Sequence, residues 1–399
     1  MKSDFIVLRR EASPTRDQLW GAPLAGAAGI AAAGPAGRNL TAEVSNVERK
    51  QVRQIAAQAD TVAVAPVMPM RLIAPVSSEA VVGANAQAAW GRLAVGADTS
   101  PFDGDGIVVA VLDTGIDAAH PAFIGVELVQ MDFTGEGNGD GHGHGTHCAG
   151  IAFGRPVDGV PIGVAPGVKK ALIGKVLDSQ GSGSSDNIVK AILWAVDQGA
   201  NVISMSLGMD FPGYVAAMVA DGMPADLATA RALEGYRANT RLFDSLSALI
   251  SAHELSAQAS IVVAAAGNES KRAVDPEYEV TVSPPAVSLG FLSVGALGQQ
   301  GSQFAVANFS NTGANVSAPG VNIVSAAAGG GLRAMSGTSM ATPCVAGVAA
   351  LWAQKLTAAG RLNSFQLMSK LAGMASAADM VAGSDPFDFG AGLVRCPQD

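Results

Sequence analysis

Three histidines crowd the stretch DGHGHGTH at 140–147, namely His142, His144 and His147, in a chain that holds five. Imidazole ligates metals or moves protons near neutral pH, so the stretch marks either a metal nest or a site of acid–base chemistry. The spacing H-x-H-x-x-H has room for zinc, but the glycines around His142 and His144 give no rigid scaffold and no outer shell to orient the rings. EGNGDG at 136–141 is similar to the opening of a calcium loop, yet its twelfth position is His147 where a bidentate glutamate is needed. No metal ligand set is assigned, and acid–base chemistry is the better reading of the cluster.

A second candidate lies in GTSMATP at 337–343. Ser339 stands where a loop enters a helix, and the free N–H groups of a first helical turn favour negative charge. Ser339 is then either a helix cap or a nucleophile. Pro343 is expected within the first turn, where its missing N–H costs nothing. A nucleophilic serine needs a base, and the base needs an acid to orient it. Asp113, at the end of the apolar run VVAVL, is a candidate acid, although an aspartate also ends a strand for capping alone.

These residues must be held by a scaffold, and the apolar pattern supplies one. GIVVAVLD (106–113), KKALIGKVLD (169–178), ANVISMSLG (200–208), ASIVVAAAGN (259–268) and SLGFLSVGAL (288–297) read as strands buried on both faces. Helical stretches fall at 185–199, at about 225–258, and from near Ser339 onward. Strands alternating with helices predict an α/β fold, a three-layer doubly wound and mostly parallel sheet. Function in such sheets sits at the C-terminal ends of the strands. Asp113, Ser206 and Asn268 fall there. Residues 1–66 read as a small α+β unit with strands at DFIVLRR, NLTAEVSNV and TVAVAP and a helix at 48–59. The Gly/Ala/Pro stretch at 21–37 reads as a loop, and 67–100 as a linker rich in Pro, Ser, Gly and Ala.

Composition narrows the function. The 399 residues carry a net charge of −9 without blocks of like charge, which argues against nucleic acid and anionic membrane as partners. No apolar run has transmembrane character, and the first twenty residues lack the apolar core of a secretory signal. A cytoplasmic location and export by a non-classical route are both open. Three cysteines, Cys148, Cys344 and Cys396, leave at least one thiol free.

Asp113 in VLDTGID, His144 in HGTHCAG and Ser339 in GTSMATP, in that chain order, resemble the signatures of the subtilisin-like serine proteases, the subtilase family. HCAG is the variant of the proteinase K-like branch. The resemblance covers about 101–395, a catalytic domain running to 399, and includes FGAGLV (389–394) as a terminal strand. It implies a serine endopeptidase that hydrolyses peptide bonds through an acyl-enzyme. Ser339 would be the nucleophile, His144 the base, Asp113 the residue that orients His144, and Asn268 an oxyanion donor with the Ser339 N–H. His147 would be structural, and His142 lies outside the motif. Polypeptide substrates would pair as an added strand between Ser206-Leu207-Gly208 and Gly181-Ser182-Gly183. Ala264-Ala265-Ala266-Gly267 would wall the pocket for the residue before the cut, favouring an uncharged apolar or aromatic side chain. The chemistry would need no cofactor, while structural calcium is common in the family. Residues 1–66 resemble the inhibitory propeptide of the family. Residues 209–258 form an insertion, read as a lid or a docking surface. A non-catalytic binding module on the same scaffold is the alternative; such scaffolds usually lose a triad residue, and here none is lost.

Overall fold

The computed structural model describes residues 2–10, 40–81, 90–253 and 258–399. The expected loop at 21–37 lies outside the described residues, as do 82–89 of the expected linker and 254–257 of the expected helical stretch.

The N-terminal unit consists of β1 (Lys2–Arg10), β2 (Leu40–Glu48), α1 (Arg49–Ala56) and β3 (Thr61–Pro66). Its antiparallel sheet has the order β2-β1-β3. Glu48 and Gln51 close a capping box that starts α1 directly after β2. Ile6, Leu8 and Ala65 are buried and join a core shared with the larger part of the chain.

The expected linker at 67–100 is not one. It contains β4 (Pro69–Leu72), β5 (Ser77–Val81) and the helix α2 (Trp90–Val95). Local composition hides the two strands because their partners lie far along the chain. β4 is the middle strand of a three-stranded antiparallel sheet between β9 (Ser182–Ser184) and β11 (Leu207–Met209). β5 pairs with β17 (Leu332–Ser336), itself in a hairpin with β16 (Ile323–Ala326).

The main sheet has the expected doubly wound, mostly parallel form. Its path is β14 (Gln303–Val306), β13 (Phe291–Gln300), β12 (Ile261–Ala265), β10 (Val202–Met205), β6 (Val108–Asp113), β8 (Lys170–Lys175), β7 (Glu127–Asp132), with β15 (Val316–Pro319) also on β13. Only the β13–β14 pair in it is antiparallel. Along β6, Val109 and Val111 face one core and Ala110 and Leu112 the other, the period-2 alternation of a strand covered on both sides. The first core holds α3 (His144–Phe153) and α7 (Thr338–Ala358). The second holds α4 (Ser185–Asp197) and part of the insertion. From Thr338 through Ala353 every residue of α7 is buried.

Two expected strands differ in detail. ANVISMSLG breaks at Ser206: β10 stays in the main sheet, while β11 turns away to pair with β4. FGAGLV forms no strand. The short helix α9 (Pro386–Phe389) precedes glycines with φ of 63° and 101° at Gly390 and Gly392, and Leu393 makes only single bridges to Ser317 and Ser376. An additional helix, α8 (Ser364–Gly373), follows α7.

The insertion folds as α5 (Phe211–Ala220) and α6 (Ala225–His253). Its described contacts include the N-terminal unit. α6 lies along β3, the Asn239 amide donates to the Pro66 carbonyl at 2.8 Å, and Glu234 pairs with Arg49 of α1. Leu242, Phe243, Leu246, Leu249 and Ile250 bury one stripe of α6 against the sheet. Phe243 meets Phe291 of β13 edge-on with ring centroids 6.2 Å apart. Phe243→Ala is expected to cost about 3–5 kcal/mol, read as a lowered urea midpoint in a Ser339→Ala background that prevents self-digestion.

Candidate active site

The site forms where β6, α3 and α7 meet at the C-terminal edge of the sheet. Asp113 ends β6 and is buried. Its Oδ1 accepts from the Thr114 N–H and from His144 Nδ1, each at 2.8 Å. His144 opens α3, a helix whose residues are all buried. Burial opposes a charge on this imidazole, but the Asp113 carboxylate outweighs it and holds the His144 pKa well above its usual value.

The residue that fixes α3 was missed in the sequence. Asp140 accepts from the Gly143 N–H at 2.7 Å, the Thr146 N–H at 2.8 Å, the Thr146 hydroxyl at 2.6 Å and the Thr114 hydroxyl at 2.8 Å. Burial works against its charge, yet these donors hold its pKa below the usual carboxylate range. One carboxylate thus ties the first turn of α3 to the loop after β6. The available signal was an acid shortly before the helix and a threonine inside its first turn, a capping pattern.

Ser339 lies one residue into α7 and is fully buried. Its hydroxyl donates to the Ile73 carbonyl at 2.7 Å. A hydroxyl has one proton to give, so here that proton points at the chain in the cleft and not at His144. Pro343 is not in the first turn as expected but inside α7. There it removes the N–H that would bond the Ser339 carbonyl four residues back. That carbonyl accepts instead from the Cys148 thiol and the Ser206 hydroxyl, each at 3.3 Å. The proline therefore creates the acceptor that draws α3, α7 and the end of β10 together.

Asn268 follows β12. Its Oδ1 accepts from the N–H and the hydroxyl of Thr338, both at 2.9 Å. Thr338 thereby fixes which end of the amide faces the cleft, and Nδ2 donates to the Ala74 carbonyl at 2.9 Å. A Cβ on Gly337 would stand 3.0 Å from this Nδ2, so the glycine before Thr338 keeps the donor's position open.

The two predicted flanking segments do border an extended chain, and that chain is the protein's own. Arg71 lies opposite Gly208 on one side and Ser182 on the other, and Met70 opposite Met209 and Gly183. Leu72 opposes Leu207, and its N–H donates to the Gly181 carbonyl at 2.8 Å. The Ile73 N–H donates to the Ser206 carbonyl at 3.2 Å. The side chain of Ile73 lies against Gly208. Ala264, Ala265 and Ala266 are buried at the end of β12, and the Ala266 carbonyl accepts from Ser283, which also faces Gly208 near Ile73. Gly267, next in the chain, is buried as well.

The sequence profile of the subtilase family matches residues 104–392. The chain belongs to the subtilase family. It is 34% identical over 252 residues to a thermophilic serine proteinase of Bacillus sp. (strain AK1), covering 62% of this chain and about half, 52%, of that protein. It is 31% identical over 266 residues to thermitase of Thermoactinomyces vulgaris, covering 66% and 80%. It is 32% identical over 304 residues to subtilisin DY of Bacillus licheniformis, covering 74% and 90%. A cold adapted subtilisin-like serine proteinase of known crystal structure is similar in fold, with a TM-score of 0.53, 29% identity, and coverage of 75% of this chain and 92% of that one. The family and these relatives place this subtilase among the serine-type endopeptidases of α/β fold.

The remaining histidines of DGHGHGTH separate cleanly. The ring of His142 stands edge-on to that of His144, centroids 6.2 Å apart, at the exposed rim of the cleft. His147 is buried, with Nε2 donating to the Arg333 carbonyl at 2.9 Å. The three rings do not converge on one point. Among the described residues, the cluster within ligating reach is Asp113, His144 and Cys148, and it contains the hydrogen-bonded Asp113–His144 pair itself. The carboxylates of the calcium-like stretch are engaged by the protein's own donors. Asp140 holds α3, and Glu136 accepts from Ser179 and from the buried Lys175.

Burial lowers the His147 pKa from 6.5 to about 3. The unfolded chain takes up a proton here below pH 6.5 that the folded subtilase refuses until about pH 3. Stability is therefore full above that window and is lost as pH falls through it. Replacing His147 with Gln should flatten this loss by up to about 1.4 kcal/mol per pH unit, measured as the pH dependence of the denaturation midpoint.

Cys148 Sγ lies 3.6 Å from His144 Nδ1, and burial pushes its pKa up. A neutral buried thiol is a poor nucleophile, so small alkylating reagents should spare activity. A mercurial bound there would displace the imidazole, and shifts near 1 Å cost about 10²-fold. Mercurial inhibition should disappear in Cys148→Ala; if it persists, Cys344 or Cys396 is the responsive thiol.

Proposed function

We propose that this subtilase is a serine endopeptidase folded as its own inhibited precursor, with Asp113, His144 and Ser339 as triad and residues 2–73 as propeptide. The observation that carries the reading is the Ile73 carbonyl, 2.7 Å from the Ser339 hydroxyl, directly after the strand β4 held between β9 and β11. A backbone laid along two edge strands is a general mode of peptide recognition. The Ile73–Ala74 bond is then the bond presented for cleavage.

In the reaction, Ser339 Oγ attacks the Ile73 carbonyl carbon while His144 accepts the hydroxyl proton. Asp113 holds the Nδ1–H tautomer and stabilises the imidazolium. The oxyanion forms against Asn268 Nδ2 and the Ser339 N–H. His144 returns its proton to the Ala74 nitrogen, the new N-terminus departs, and water hydrolyses the acyl-enzyme by the same route. Every step uses side chains and backbone of this chain together with water. An apolar residue before the cut is preferred, as Ile73 is, because Gly208 and the Ala264–Gly267 wall offer no charge.

The precursor is held short of reaction in three respects. The Ser339 proton is committed to Ile73, Asn268 is engaged by the next carbonyl, and the Asp113 carboxylate, by raising the His144 pKa, favours the protonated imidazole, which is no base. Raising pH frees the base, so self-cleavage is expected to accelerate with pH. The purified chain should then yield the N-terminal sequence Ala74-Pro75-Val76, and Ser339→Ala should remain intact at every pH. An intact wild-type chain that also fails to take up a fluorophosphonate at alkaline pH would overturn the reading in favour of a non-catalytic binding module.

A further inference from the structure

Arg71 is the third residue before the Ile73–Ala74 bond. One guanidinium nitrogen lies 3.4 Å from Asp210 Oδ1 and the other 3.7 Å from Glu269 Oε1. The two carboxylates come from separate parts of the fold. Asp210 follows β11, and its Oδ1 accepts from the Gly213 N–H at 3.0 Å as the cap of α5. Its own N–H donates to the Pro69 carbonyl at 3.0 Å, which fixes it beside the bound strand. Glu269 follows Asn268, and its second oxygen accepts from Asn311 Nδ2 at 2.8 Å while its N–H donates to Asn311 Oδ1 at 3.1 Å. Outside the bound strand, Gly213 orients Asp210 and Asn311 orients Glu269.

We propose that Asp210 and Glu269 form an acidic subsite that selects a basic residue, arginine or lysine, at the third position before the cut in polypeptide substrates. The proposal rests on the protease reading above. The geometry is suited to a long cation: a planar fork reaches both carboxylates at once, whereas a glutamate there would meet two like charges. The contacts are partly exposed, so the selection should be moderate and sensitive to salt. Because the same pair grips Arg71, the subsite also contributes to holding the inhibitory strand in place.

The test uses the processed enzyme and three fluorogenic peptides, acetyl-Met-Xaa-Leu-Ile-amide of a dye, with Arg, Gln or Glu as Xaa. The kcat/KM for Arg is expected to exceed that for Glu by about tenfold at low salt, with Gln between. The ratio should shrink toward one in 1 M salt and in the Asp210→Asn, Glu269→Gln double variant. If that variant fails to fold, the salt dependence of the wild-type ratio decides alone. Equal rates for the three peptides at low salt overturn the subsite while leaving the protease reading intact. No hydrolysis of any peptide, with no fluorophosphonate labelling, overturns the protease reading and the subsite with it.

Discussion

A carboxylate inside a protein is tolerated only when it is paired. Asp113 is buried at the end of β6, and His144 is its hydrogen-bonded partner. To bring that imidazole to it, α3 must start at a fixed point above the sheet edge. Asp140 sets that point, linking Gly143 and Thr146 of the helix start to Thr114 beside Asp113. The parallel sheet then supplies the rigidity, because β6 sits between β8 and β10 with helices over both faces. One buried carboxylate–imidazole pair thus governs a loop, a helix terminus and a strand end.

The position of Ser339 depends on a different device, an absent donor. Pro343 leaves the Ser339 carbonyl without its helical partner, and Cys148 and Ser206 take that role. An unsatisfied buried carbonyl costs about 1–3 kcal/mol, so the helix carrying Ser339 has reason to dock against the helix carrying His144. Thr338 performs the complementary task at the other end of the turn by orienting Asn268. Residues on either side of the serine therefore help to place His144 and Asn268 beside it.

The motifs around Asp113, His144 and Ser339 were readable because they combine residues of known chemistry with strand and helix signals. The order of buried strands was readable from unbroken apolar runs. Asp140 was not, since its glycine-rich surroundings suggested a loop for an ion and its partners became visible only in three dimensions. β4 and β5 escaped for another reason: a strand that pairs with the edges of distant segments needs no alternating pattern of its own. Pro343 was recognised as a helix residue but placed too early, because the start of α7 is set by Asn268 and Gly337 and not by local propensity. Arg71, Asp210 and Glu269 come from three distant parts of the chain and carry no local signal that they meet.

β4 supplies the middle of a three-strand sheet, so its departure would leave β9 and β11 as two facing edges with unpaired N–H and C=O groups. Such a slot accepts only backbone that is already extended and free of other hydrogen bonds. A segment locked in a helix or in its own sheet must first open locally, at a free-energy cost set by the target and not by the enzyme. When that opening is fast compared with cutting, the rate of digestion follows the population of the open form. The cleft then works as a sensor of conformational stability in other proteins, reporting which of their segments breathe and how often.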